Sequence, residues 1–170
     1  MAPLGGIEKN ARAACPVEVV VRSILIPVLT CVLALPLGAQ AADKPKAEAL
    51  VKEGLAFMKA NGKDKFLDEI QKGSGKFHVK PGSTLYLAAY DLNGTVLAHG
   101  ADAALKGLNR LNVKDPDGVQ YIKLQIAAGQ QKGGGWVAFK RLNPDTRKME
   151  AKTSYCLAES GVVVFCGIYQ

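Results

Sequence analysis

A chain of 170 residues, 48% hydrophobic and 22% charged, has the composition of a single globular domain and not that of a disordered protein. Its formal net charge of +7 favours anionic partners such as carboxylates, phosphates or anionic lipid. The cations are scattered, with only Lys140-Arg141 and Arg147-Lys148 adjacent, and no aromatic residues interleave them, so nucleic acid is not an expected partner.

The N-terminal region reads as an export signal. Residues 23–38 carry no charge; Arg22 precedes them and Ala39-Gln40-Ala41 follows them. A basic flank, an apolar run and an A-x-A site are the parts of a cleavable signal peptide. Cleavage after Ala41 is expected, leaving residues 42–170 as one periplasmic domain. The apolar run holds Pro27 and Pro36 and is shorter than the roughly 20 residues of a spanning helix. No stable membrane span is therefore expected after cleavage.

In the remaining chain, Ala47, Leu50, Val51, Leu55 and Met58 recur at helical spacing, predicting a helix over 47–61 that stops at Asn61-Gly62. A second helix is predicted from Asp64 as N-cap, with Phe66, Leu67 and Ile70 inward. Asn93-Gly94 between apolar runs predicts a hairpin of strands 84–91 and 95–99. Asp115-Pro116 is expected to open a third helix, running through Tyr121, Ile122, Gln125 and Ile126 to Gly133-Gly134-Gly135. Strands follow over 136–141, 150–158 and 162–169, the last two joined by a turn at Glu159-Ser160-Gly161. The order is that of an α+β fold: an antiparallel sheet of five strands with its helices on one face.

Few residues offer chemistry. The mature chain holds two cysteines, Cys156 and Cys166, ten residues apart on adjacent strands. An oxidising compartment and an even spacing suggest a disulfide on one face of the hairpin, with two reduced core thiols as the other reading. Only two histidines, His78 and His99, are present, so neither a metal site nor another cofactor is expected. A calcium loop at Asp115-Pro116-Asp117-Gly118 fails, because its first and last ligands would be Val113 and Leu124. The sequence shows no catalytic nucleophile motif, and no enzyme is expected. His99, Lys152 and Tyr155 lie on predicted sheet segments and would suit a small carboxylate if they converged.

The run Tyr90-Asp91-Leu92-Asn93-Gly94-Thr95-Val96-Leu97-Ala98-His99 resembles the "YD-x-x-GTVLAH" hairpin of single Cache domains of the sCache_2 subtype. Lys106-Gly107-Leu108-Asn109, Asp115-Pro116-Asp117-Gly118, Gly133-Gly134-Gly135-Trp136-Val137, Asn143-Pro144, Lys152-Thr153-Ser154-Tyr155 and Gly167-Ile168-Tyr169 match further segments of that pattern in order. The resemblance implies a PAS-like fold with a long N-terminal helix packed on the sheet and a small-molecule pocket over it. It implies an extracytoplasmic sensor of a small anionic metabolite, such as an organic acid. The pocket residues it carries over are His99, Trp136, Lys152 and Tyr155, with Tyr121 and Tyr86 added. Phe139 stands where family members usually have Tyr, so one hydroxyl contact is lost. Because the chain ends at Gln170, the expectation is a stand-alone periplasmic module without an output domain, presenting its ligand to a membrane sensor or transporter. The alternative is a protein-interaction subunit with a vestigial pocket, in which a filled core would replace the cavity.

Overall fold

The structure is a computed structural model and describes residues 38–170; the signal-peptide reading falls largely outside these. The long helix α1 runs from Gly38 to Asn61, beginning well before the predicted start at Ala47 and carrying Pro45 within it. Among the described residues no helix is long and apolar enough to cross a membrane. Helix α2 spans Lys63–Gln71, with Gly62 at its N-cap in place of the predicted Asp64. Strands β1 (Ala88–Asp91) and β2 (Val96–His99) form the expected hairpin, followed by a short 3-10 turn at Ala103–Leu105. Helix α3 (Tyr121–Gly129) leads to β3 (Gly135–Leu142), β4 (Met149–Glu159) and β5 (Val162–Tyr169).

The five strands form one antiparallel sheet in the order β2-β1-β5-β4-β3. Because side chains alternate along each strand, the sheet buries both faces, each under different helices. On one face Val51, Leu55 and Met58 of α1 join Phe66 and Ile70 of α2 over Ala89, Tyr155, Val164 and Cys166. On the other, Tyr121, Ile122 and Ile126 of α3 cover Ala88, Tyr90, Val137, Phe139, Cys156 and Phe165. Each large apolar side chain so buried contributes roughly 1.5–3 kcal/mol. The expectation of helices on a single face is thus corrected: α3 backs the sheet from the opposite side. Gly54 lets α1 come close; a Cβ there would stand 3.1 Å from Phe66 and closer still to Leu87.

Two local departures have physical causes. Strand β1 starts at Ala88, not residue 84, because the backbone just before it turns to Phe77 and Gly100: Leu87 N–H donates to Phe77 C=O, and Gly100 N–H donates to Leu87 C=O. The segment Asp115-Pro116-Asp117-Gly118 closes as a turn and does not open α3. Gly118 takes a left-handed φ of 83°, and Asp115 Oδ1 accepts from the N–H groups of Asp117 and Val119. The other carboxylate oxygen accepts from Lys140 N–H at 2.9 Å, tying this turn to the edge strand β3.

The expected Cys156–Cys166 disulfide is also corrected. Both thiols are free and buried. Glu159 pairs with Val162, so the β4–β5 loop has two residues, Ser160 (φ 49°) and Gly161 (φ 75°), both left-handed as a type I′ turn requires. In that register Tyr155 faces Cys166 while Cys156 faces Phe165. Directly opposed residues share a face and neighbours along a strand alternate, so the two thiols emerge on opposite sides of the sheet. Burial raises the Cys166 thiol to about 12 and the Cys156 thiol further, keeping both protonated. Alkylation followed by mass spectrometry should therefore label both cysteines only after unfolding, with or without reductant. A reductant-dependent mass shift would contradict the register.

Candidate ligand-binding site

The β4 alternation decides which polar residues meet. Lys152, Ser154 and Cys156 point toward α3, whereas Thr153 and Tyr155 point toward α1. Phe139 and Arg141 of β3 lie opposite Lys152 and Glu150, which puts Arg141 on the α3 side as well. Between α3 and the sheet these residues leave a cavity of about 30 Å³. Its walls include Tyr86, Tyr90, His99, Arg110, Tyr121, Gln125, Arg141, Lys152 and Ser154 over a floor of Ile122, Phe139 and Phe165. That volume holds about two water-sized groups and suits a ligand of a few heavy atoms.

Four of the six residues expected to bind ligand, namely Tyr86, His99, Tyr121 and Lys152, line this cavity. Trp136 and Tyr155 do not, so the structure does not bring all six together. These two are paired across β3 and β4 on the α1 side, with ring centroids 5.3 Å apart. The Tyr155 hydroxyl donates to Gly133 C=O, and Lys44 Nζ sits 5.3 Å from the Trp136 ring. Arg110, Arg141, Gln125, Tyr90 and Ser154 were not anticipated from the sequence.

The cavity has a one-signed charge. Arg110, Arg141 and Lys152 contribute cations, and no Asp or Glu lines it. Among the described residues none of the three forms a salt bridge. Arg141 donates to the Tyr121 hydroxyl oxygen at 2.8 Å and Arg110 at 3.4 Å, so that oxygen is an acceptor and its O–H is free to donate. The Tyr121 ring is fixed by stacking on Phe139 at 4.5 Å. Lys152 Nζ donates to Tyr86 Oη at 3.2 Å and lies 4.2 Å from the Tyr169 ring. These partners are neutral, and burial accordingly lowers the Lys152 ammonium from its ordinary value.

His99 ends β2 with its ring 5.0 Å from that of Tyr86. Its Nδ1 accepts from the N–H groups of Asp102 at 3.0 Å and Ala101 at 3.3 Å. Nδ1 is therefore unprotonated, and the proton of the neutral ring sits on Nε2 as a donor. Burial first, and the nearby Lys152 second, lower the His99 pKa to about 4. Burial likewise raises the Tyr86 phenol to about 12, which keeps its O–H intact. Gly167 makes room for these groups: a Cβ there would collide with Lys152 Cε and lie 2.7 Å from Ser154 Oγ.

Tyr86, His99 and Arg141 also wall a more open groove of about 410 Å³, which continues to Thr84, Asp102 and Tyr169. The inner cavity therefore meets the surface across these three side chains. Among the described residues no three His, Cys, Asp or Glu side chains are grouped to hold a metal ion.

The sequence from residue 55 to 170 matches the family model "Single Cache domain 2". The chain belongs to the single Cache domain family. Solved structures agree with the fold. One is a methyl-accepting chemotaxis protein from Vibrio parahaemolyticus (24% identity, TM-score 0.64), matched over 76% of this chain and 90% of that one. A periplasmic sensor domain of a chemotaxis protein (19%, TM-score 0.57) covers 76% of this chain and 91% of its own. A Cache chemosensory domain described for carboxylic acid recognition (21%, TM-score 0.56) covers 76% and 94%. No curated protein matches the chain. Membership makes this Cache domain a ligand-sensing module by class, and at these identities the solved structures speak for the fold alone.

Proposed function

We propose that this Cache domain is a periplasmic sensor module, released by cleavage after Ala41, that captures a small carboxylate between α3 and the sheet. The observation that carries the reading is a cavity with three cationic walls and no acidic one. Lys152 and Arg141 meet the carboxylate charge, while His99 Nε2–H and the Tyr121 hydroxyl add neutral donors. All four are hydrogen-bond donors, which suits an acceptor-only group. The likeness to a domain described for carboxylic acid recognition supports the same ligand class. A membrane sensor or transporter is the proposed recipient of the bound state, and no catalytic step is proposed. A vestigial pocket would be a filled one, and the open cavity favours ligand capture over a purely protein-binding role.

The test is a thermal-shift screen of the purified protein against short organic acids, amino acids and purines. A ligand that binds only the native state raises the melting temperature by mass action, by about 2.7 kcal/mol of stability at 100 times its Kd. A rise confined to carboxylates is expected. A rise with purines alone, or with no compound, would overturn the carboxylate reading.

A further inference from the structure

Gln125 is 1% exposed, and both polar atoms of its amide, Oε1 and Nε2, lack a hydrogen-bond partner within the protein. Among the described residues it is the only buried side chain with unpaired polar atoms. It sits on the cavity-facing side of α3, one turn from Tyr121, beside apolar Ile122, Phe139 and Phe165. Buried amides are almost always paired, so an amide held open on a cavity wall points to a partner that arrives with the ligand.

We infer that Gln125 reads a second polar group and tunes the cavity to short 2-hydroxy acids over plain aliphatic acids. This rests on the carboxylate reading above. Lys152, Arg141, His99 Nε2–H and the Tyr121 O–H present donors that match the roughly four acceptor sites of a carboxylate. Gln125 Oε1 adds an acceptor that a plain acid cannot use, because its carboxylate and its C–H groups offer no donor. A 2-hydroxyl is both donor and acceptor: its O–H satisfies Oε1 while a ligand oxygen accepts from Nε2. A 2-oxo group only accepts and leaves Oε1 unpaired. A 2-amino group has the donors but brings a positive charge among Arg110, Arg141 and Lys152, with no acid on the wall to offset it. The 2-hydroxy acid is the chemistry that pairs both atoms of the Gln125 amide, and the volume of about 30 Å³ keeps it short.

Calorimetric titration of the purified protein with glycolate, acetate and glycine tests this. Glycolate should bind at least about tenfold tighter than acetate, the discrimination expected when a buried polar group is left unpaired by the poorer ligand. Glycine should bind weakest. In Gln125→Met, of similar shape without the amide, the glycolate-to-acetate ratio should fall to about one while acetate binding persists. Equal affinities for glycolate and acetate in the native protein, or a preference surviving in the variant, overturn the inference and leave the carboxylate reading standing. Absence of binding by all three overturns both. The comparison in the native protein decides the matter even if the variant is poorly folded.

Discussion

Replacing Lys152 with methionine is expected to weaken binding of a short carboxylate by at least about 100-fold while leaving the melting temperature unchanged or higher. The two effects part because the ammonium is costly in the free protein and useful only when ligand is bound. Lys152 is 4% exposed, its neighbours Tyr86 and Tyr169 are neutral, and no carboxylate lines its cavity. An ion so placed carries an effective desolvation penalty of several kcal/mol, which appears as its lowered pKa. Methionine keeps much of the apolar stem and removes that penalty. A bound carboxylate supplies the missing counter-charge, and a charge-assisted hydrogen bond in a desolvated site contributes roughly 1.5–3 kcal/mol. A 100-fold loss corresponds to about 2.7 kcal/mol, within that range. Titration calorimetry and thermal melts on the same pair of proteins check both halves. Unchanged affinity would remove Lys152 from the site. A large fall in melting temperature would make it a structural strut between Tyr86 and Tyr169.

The order of elements was legible because the turns announce themselves. Asn93-Gly94 marks the β1–β2 hairpin, and Gly133-Gly134-Gly135 separates α3 from β3. What failed was parity. Taking Glu159 into the turn gives a three-residue loop, in which an even separation would bring Cys156 and Cys166 to one face. The structure pairs Glu159 with Val162, and that single step reverses every cross-strand relation in the hairpin. The separation of Lys152 from Tyr155 needed no structure at all: three residues apart on a regular strand, they must face opposite ways. Trp136 follows Tyr155, its direct partner across β3. By the same alternation Arg141, two residues from buried Phe139, could have been placed on the cavity side. Arg110 could not, because it lies in irregular chain brought in by its N–H bond to Gly94 C=O. Gln125 was legible as a helix residue, but an amide without partners is a property of packing, which no local pattern contains.

His99 gives the second large effect, in the pH dependence of stability. Its pKa is about 4 in the folded protein against an ordinary 6.5, because the ring is buried and faces Lys152, Arg141 and Arg110, with Asp102 opposing them only in part. Between those values the unfolded chain holds a proton that the native ring does not, so stability falls as pH drops from 6.5 toward 4. At 1.36 kcal/mol per unit the full window is worth roughly 3 kcal/mol, and about 2 kcal/mol is lost by pH 5. His99→Asn is the informative variant. Its Oδ1 can occupy the place of Nδ1 and accept from the N–H groups of Ala101 and Asp102, yet the side chain does not titrate. Carboxylates held low by hydrogen bonds, including Glu69 and Glu150, also lose stability on acidification as they protonate, at lower pH and in both proteins alike. The difference between the two stability curves therefore isolates the imidazole. Denaturant titrations at pH 7 and pH 5 should show native stability falling by about 2 kcal/mol more than that of the variant. Parallel curves would mean that the ring is not held neutral against its cationic neighbours. The Nε2–H would then donate from a charged ring on acidification, adding a fourth positive charge to a cavity that already holds three, where a neutral donor meets a carboxylate without that cost.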